Sequence, residues 1–168
     1  TVTNATLSAN AHGGSSGGML GTTGAATGGT IDLNNLGGFF QVGTTPLVDG
    51  NLTISANANV DAQDGGTVAN IQGGTISIAS SFDSGITINN QLDLQATAIA
   101  GGGPLAPPVV ASGTAIGGAI NLSTNAGILT ADTARIDVSA LAANATGTAG
   151  NAFGGNISLT SLGGGNIS

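Results

Sequence analysis

The chain contains no cysteine, tryptophan, tyrosine, lysine or glutamate. Its charged residues are eight aspartates and one cation, Arg135, giving a formal net charge of −7 over 168 residues. Each shortage closes off a class of explanation. Without cysteine there is no disulfide framework, and the redox compartment is left undetermined. With one cation, little is available to displace the counterions of a phosphate backbone. That excludes nucleic acid as a partner and disfavours anionic membrane surfaces. No apolar run approaches the ~20 residues of a membrane-spanning helix, so the chain is not read as transmembrane. Nor does it show the basic and apolar regions of a secretory signal peptide.

Catalysis needs converging titratable groups, and few are present. His12 lies in "AHGGSSGG", where Ser15 or Ser16 would be its only nearby nucleophile. The plain reading is a solvated loop histidine. A polysaccharide lyase on a β-helix would need clustered acids with basic residues, and Arg135 stands alone. The chain is therefore expected not to be an enzyme, and to need no cofactor.

Aromatics are scarce too, with four Phe in all. A globular core usually holds several large aromatic side chains. Here 40% of residues are hydrophobic, mostly Ala, Ile, Leu and Val, which suits a long, thin interior. Glycine is abundant at 31 residues, without the strict period of collagen. The 5% charged fraction and the β-branched runs argue against disorder.

What the chain does have is a repeat. "GGTIDL" at 28–33, "GGTISI" at 73–78, "GGAINL" at 117–122 and "GGNISL" at 154–159 start 45, 44 and 37 residues apart. Each is a glycine pair followed by an alternating strand, with Ile31/Leu33, Ile76/Ile78, Ile120/Leu122 and Ile157/Leu159 on one face. A second landmark of apolar–Asp–apolar form follows in "NVDAQ" (59–63), "QLDLQATA" (91–98) and "RIDVSALA" (135–142), aligning Val60, Leu92 and Ile136. Ile54, Ile86 and Leu129 anchor a shorter stretch between the two landmarks. Small residues such as Ala62, Ala96 and Ala140 fit a narrow interior. Variable loops follow at 64–72, 101–116 and 143–153, and "LGGFFQVGTTPLVDG" (36–50) is extra length in the first repeat.

Three short strands and a loop make one turn of a solenoid, in which each strand pairs with its equivalents above and below. The expectation is an all-β parallel β-solenoid of about four rungs of three short strands, with Gly-rich outer loops. The rungs fall at 28–72, 73–116 and 117–153. A split rung is formed by 154–168 together with 1–27 of the next unit, so 1–168 is a single solenoid unit. Its two ends are complementary, head to tail. Partners are copies of itself, or neighbouring repeats of the same chain. The expected assembly interface is Thr1, Val2, Thr3 and Leu7 at one end and Ile157, Leu159, Asn166, Ile167 and Ser168 at the other.

The glycine pairs with their strands, together with Val60-Asp61-Ala62 and Ile136-Asp137-Val138, resemble the β-helical shaft of filamentous-haemagglutinin-like exoproteins. These are large two-partner-secretion adhesins. The resemblance spans nearly the whole chain and implies a right-handed parallel β-helix, secretion, and a role in adhesion or surface structure. The family's secretion domain and receptor-binding modules have no counterpart here.

Several outer-surface readings follow. Asp61, Asp93 and Asp137, at equivalent positions of the second landmark, are expected to stack about 4.8 Å apart, repelling by roughly 0.8 kcal/mol per pair even in water. The plain reading is a hydrated ladder. The sharper one is a divalent cation such as Ca2+ between rungs. Phe39, Phe40, Pro104, Leu105, Pro107 and Pro108 are apolar loop residues, read either as a cover over a sheet face or as lateral contacts between filaments. Of the Asn-x-Ser/Thr sequons, Asn51 and Asn144 lie beside loops and are the candidate glycan acceptors. Outward Thr in "TVT", "LTIS" and "ITIN" suggests an ice-binding array, though no regular column emerges. The function expected is a structural unit of an extracellular bacterial filament or surface fibre. The alternative is a carbohydrate- or host-binding adhesin shaft module.

Overall fold

The computed structural model describes residues 1–14, 21–44, 49–61, 66–101 and 109–168. Every regular element among them is a β-strand. Each glycine pair opens one: Thr30–Asn35, Thr75–Ser81, Ala119–Asn125 and Asn156–Leu162. These strands pair in parallel and in chain order, setting Ile31, Ile76, Ile120 and Ile157 in one column and Leu33, Ile78, Leu122 and Leu159 in the next. Alternation turns the Ile and Leu side chains inward and Thr, Ser and Asn outward.

The chain then turns a corner into a second parallel sheet. It contains Ala5–Ser8, Leu52–Ser55, Gly85–Gln95, Ile128–Asp137 and Asn166–Ile167, with Phe39–Val42 paired to Gly85–Ile88. A third sheet stacks Ala11–Gly13, Ala58–Val60, Ala98–Ala100 and Ala140–Leu141. A fourth holds Thr67–Val68, Val109–Ser112 and Ala145–Thr148. The fifth holds Ala26–Thr27, Ile71–Gln72, Ala115–Ile116 and Ala152–Phe153. Strands from successive repeats thus lie side by side in stacked parallel sheets, as in a solenoid.

Three expectations need correction. First, the supposed loops 64–72, 101–116 and 143–153 each contain two short paired strands. The repeat is therefore richer than three strands and a loop. Their small, weakly alternating sequences carry little strand signal, and it is pairing with the neighbouring repeats that makes them strands. Second, Phe39–Val42 is part of a sheet, so the extra length of the first repeat lies in the sequence between Val42 and Leu52. Its neck is closed by Asn89, whose amide donates to the Gly43 carbonyl at 3.1 Å while its own carbonyl accepts from Gly50 N–H at 3.0 Å. Third, the second-landmark alignment is shifted. Leu92 pairs with Leu52 and Ala134, Leu94 with Ile54 and Ile136, and Val60 with Ala100. Ile86 and Leu129 do share a column, but its member in the first repeat is Phe40, not Ile54.

The interior is divided in two. A larger core of Ile, Leu and Val, including Ile54, Ile76, Ile86, Leu94 and Ile120, fills the space between the first two sheets. A smaller core of Ala26, Ala58, Val60, Val68, Ile71, Ala98 and their neighbours lies among the other three. Ala96 is fully buried, Ala140 packs at the edge of the smaller core, and Ala62 lies outside the described residues.

The glycine pairs form the waist between the cores. Gly74, Gly118 and Gly155 donate backbone hydrogen bonds of 2.6–2.7 Å to the carbonyls of Ala56, Ala96 and Val138 on the opposite wall. A Cβ on Gly28, Gly73 or Gly117 would overlap those same carbonyl oxygens. The landmark that made the repeat visible is therefore the place where two walls of backbone touch.

Candidate functional site

Functional candidates sit at three places: the two open ends of the stack, the outer face of the second sheet, and the pocket around His12. Several inward columns are buried in their middle and more exposed at one limit. Ile76 and Ile120 are 0% exposed, whereas Ile157 in the same column is 45% exposed. Leu159 reaches 60%, and at the other end Val2 and Leu7 reach 41% and 37%.

Val2 bridges Val42, and Leu7 lies beside Ile54 in the same inward column as Leu94 and Ile136. Thr1 and Thr3 flank the Val2 bridge. At the far end, Ile167 pairs with Leu129, Asn166 donates its N–H to the Gly127 carbonyl, and Ser168 exchanges hydrogen bonds with Leu129 and Ala131. The structure thus places the expected interface residues at the second sheet's edge at one end, and at the edges of the first and second sheets at the other.

Corner asparagines link successive levels. The side-chain oxygens of Asn4, Asn10, Asn57 and Asn70 accept from the backbone N–H of Asn51, Asn57, Thr97 and Thr114 at 2.8–2.9 Å. These residues were missed in the sequence. The signal for two of them is the identical "SANA" at 8–11 and 55–58, which also fixes the register of the second and third sheets.

On the outer face of the second sheet, the aspartate ladder does not form. Asp93 lies beside Arg135 and Thr53, and Asp137 beside Gln95. Asp61 is beyond the end of Ala58–Val60, 3.3 Å from His12 Nε2. The reason is physical: outward polar positions are interchangeable, so Asp does not mark a column, whereas waist glycines and inward Ile do. In place of stacked carboxylates, Arg135 reaches Asp93 at 3.3 Å and Asp137 at 3.1 Å. Hydrogen bonds from Ser139 lower the Asp137 pKa. Arg135 adds to the effect, and partial burial opposes it. Among the described residues, no three His, Cys, Asp or Glu side chains come together in a way that would hold a metal ion.

His12, Asn59, Val60, Asp61 and Ile99 line a shallow pocket of about 280 Å³. The His12–Asp61 pair is more than half exposed on both sides, so as an ion pair it adds little. Ser15 and Ser16 lie outside the described residues, as do Pro104, Leu105, Pro107 and Pro108. Phe40 is half-buried against the larger core, while Phe39 is 81% exposed, so the two adjacent rings belong to different sides of the wall. Asn51 and Asn144 are both exposed. No helix among the described residues is long and apolar enough to cross a membrane, which leaves β-barrels unaddressed. No protein-family model, curated protein or solved structure matches the chain.

Proposed function

We propose that this chain is a shaft element of an extracellular fibre, a right-handed parallel β-helix of about four rungs that extends by stacking further rungs of the same kind on its two ends. The observation that carries the proposal is the pair of open ends. At each, inward Ile, Leu and Val columns stand exposed beside unpaired backbone edges, which costs burial and invites pairing. Among the described residues at either end there is no helix to cover them.

The columns support stacking in register. Above Ser168, the next inward position is the column of Ala131, which runs down through Ile88 and Val42 to Val2. A second copy placed above would bring Val2 onto Ala131 and Leu7 onto Ile136, with its Thr1 turned out of the place opposite Thr130 that Ser168 already holds. Leu159 would meet Leu33 of that copy. The next rung is supplied by the same chain or by another copy, and the contact is heterologous and open, so it propagates. The right hand follows the general preference of parallel crossover connections. An extracellular setting is supported by the resemblance to exoprotein shafts and by a sequence that offers trypsin-like proteases a single cation, Arg135.

Negative-stain electron microscopy, paired with a denaturing gel of the same sample, tests this. Long rods that dissolve to a band at the 15.7 kDa of the chain mean stacked copies. A paired substitution, Ile157→Asp with Leu159→Asp, is expected to abolish rods while leaving the β circular-dichroism signal intact. Short discrete particles from the unaltered protein at high concentration would overturn the proposal.

A further inference from the structure

One corner of the coil is more apolar than a free surface needs to be. Three of the four Phe are more than half exposed, and two of these, Phe39 at 81% and Phe82 at 66%, lie at the corner between the first and second sheets. Leu36 at 79%, Ile128 at 46% and Leu162 at 59% share that corner, one level after another. The register fixes the alignment: Phe39, Gly85 and Ile128 form one column, and Leu162 pairs with Asn125, which is beside Ser81. Together they make a ridge along the coil axis, with levels about 4.8 Å apart.

Two details show that the backbone accommodates these side chains at a cost. The turn at this corner needs a left-handed backbone, which Gly38 and Gly163 provide in the first and last repeats with φ of 80° and 60°. In the second repeat Phe82 and Asp83 take it instead, with φ of 33° and 55°. A bulky side chain there is a true outlier, of the kind retained where it serves a purpose. Gly85 gives the second detail: a Cβ on it would lie 2.8 Å from Phe39 Cδ1, so the absent side chain makes room for the ring.

We propose that this ridge docks against the same ridge of a second shaft, pairing two shafts side by side about a two-fold axis. Charge selects the occupant. The chain carries −7, yet the ridge has one acid, Asp83, while Asp32, Asp49, Asp61 and Asp132 lie elsewhere. A cationic partner would gain more on those other faces. Two like-charged shafts can approach where carboxylates are sparse, and the second shaft brings apolar knobs at the same spacing. Gly37, where an added Cβ would meet nothing within 4 Å, leaves a gap beside the knobs. The five ridge side chains expose roughly 600 Å² per unit, below the ~800 Å² per partner of a stable pair. Pairing therefore becomes firm only when units are stacked, so the inference rests on the axial reading.

The test measures rod length and rod width separately in electron micrographs, for the unaltered chain and for Phe39→Ser with Phe82→Gly. Expected are paired rods that widen further as salt screens the acidic repulsion, and single rods of undiminished length for the variant. Phe82→Gly alone is expected to leave the melting temperature unchanged or raised, since glycine suits the positive φ; a clear fall would make Phe82 a packing residue and overturn the proposal. Long single rods of the unaltered chain would overturn the ridge while sparing the shaft. If no rods form, the axial reading fails, and sedimentation of the unit decides the ridge. A concentration-dependent dimer lost in the variant supports it; a monomer throughout, or binding to a glycan array lost in the variant, refutes it.

Discussion

Arg135 reaches two carboxylates at once on the outer face of the second sheet. It sits between Asp93 and Asp137, and Ser139 N–H donates to Asp137 at 3.0 Å. These contacts favour the ionised carboxylate, so the Asp137 pKa lies below its unfolded value near 3.8. The sign follows: a depressed folded pKa adds stability that is complete above the unfolded value and disappears as pH falls through the folded one. Asp137→Asn should therefore cost melting temperature at neutral pH, with the gap to the unaltered protein narrowing as pH falls towards the unfolded value and closing only below the depressed folded one. A gap independent of pH across thermal melts would show that the residue acts through shape and not charge.

Strands here are interchangeable in form but not in environment, and position in the stack decides what each is worth. Ile120 has neighbours above and below and is 0% exposed; Ile157, in the same column, lacks the one above. Ile120→Ala should cost about 2–5 kcal/mol and Ile157→Ala under about half as much in the single unit, read from chemical denaturation. In assembled rods the two costs should converge; a lasting difference would mean that nothing covers Ile157. The strands opened by the glycine pairs were legible in sequence because strict alternation and the waist glycines are both physical requirements of the fold. Ile31, Ile76, Ile120 and Ile157 fall in one column as the spacing predicts. The second landmark was misleading because it keyed on Asp, an outward residue that the sheet leaves unconstrained. Thr67–Val68 and Ala145–Thr148 were illegible for another reason: short, small-residue strands are made by their partners across the repeat, not by their own sequence. The end residues could be named from sequence because the repeat pattern itself breaks at Ile157 and Leu159, whereas the Phe82 ridge depends on which corner each turn occupies.

At the scale of the whole molecule, the scarcity of cations becomes a reporter. The peptide bond after Arg135 is the single trypsin-type site in the chain. It lies in Ile128–Asp137, whose Thr133–Asp137 portion is paired to Gly85–Gln95 on one side. An edge strand opens locally more easily than a central one. Trypsin should therefore cut single units slowly into fragments of 1–135 and 136–168, and assembled rods hardly at all, because Ala5–Ser8 of the next copy would cover that edge. Equal cleavage of both forms, followed by mass spectrometry, would argue that the covering strand is not there.

The glycine waist gives the molecule a cross-section of two lobes side by side, joined where backbone meets backbone. Such a profile is broader than it is thick, and resistance to flexing rises steeply with breadth in the plane of bending. A long assembly of these units would behave as a ribbon and not as a round rod, yielding toward its flat faces and holding firm edgewise. Phe39 and Phe82, at a corner of that profile, would then join two ribbons at a margin, leaving the pair free to curl about the seam.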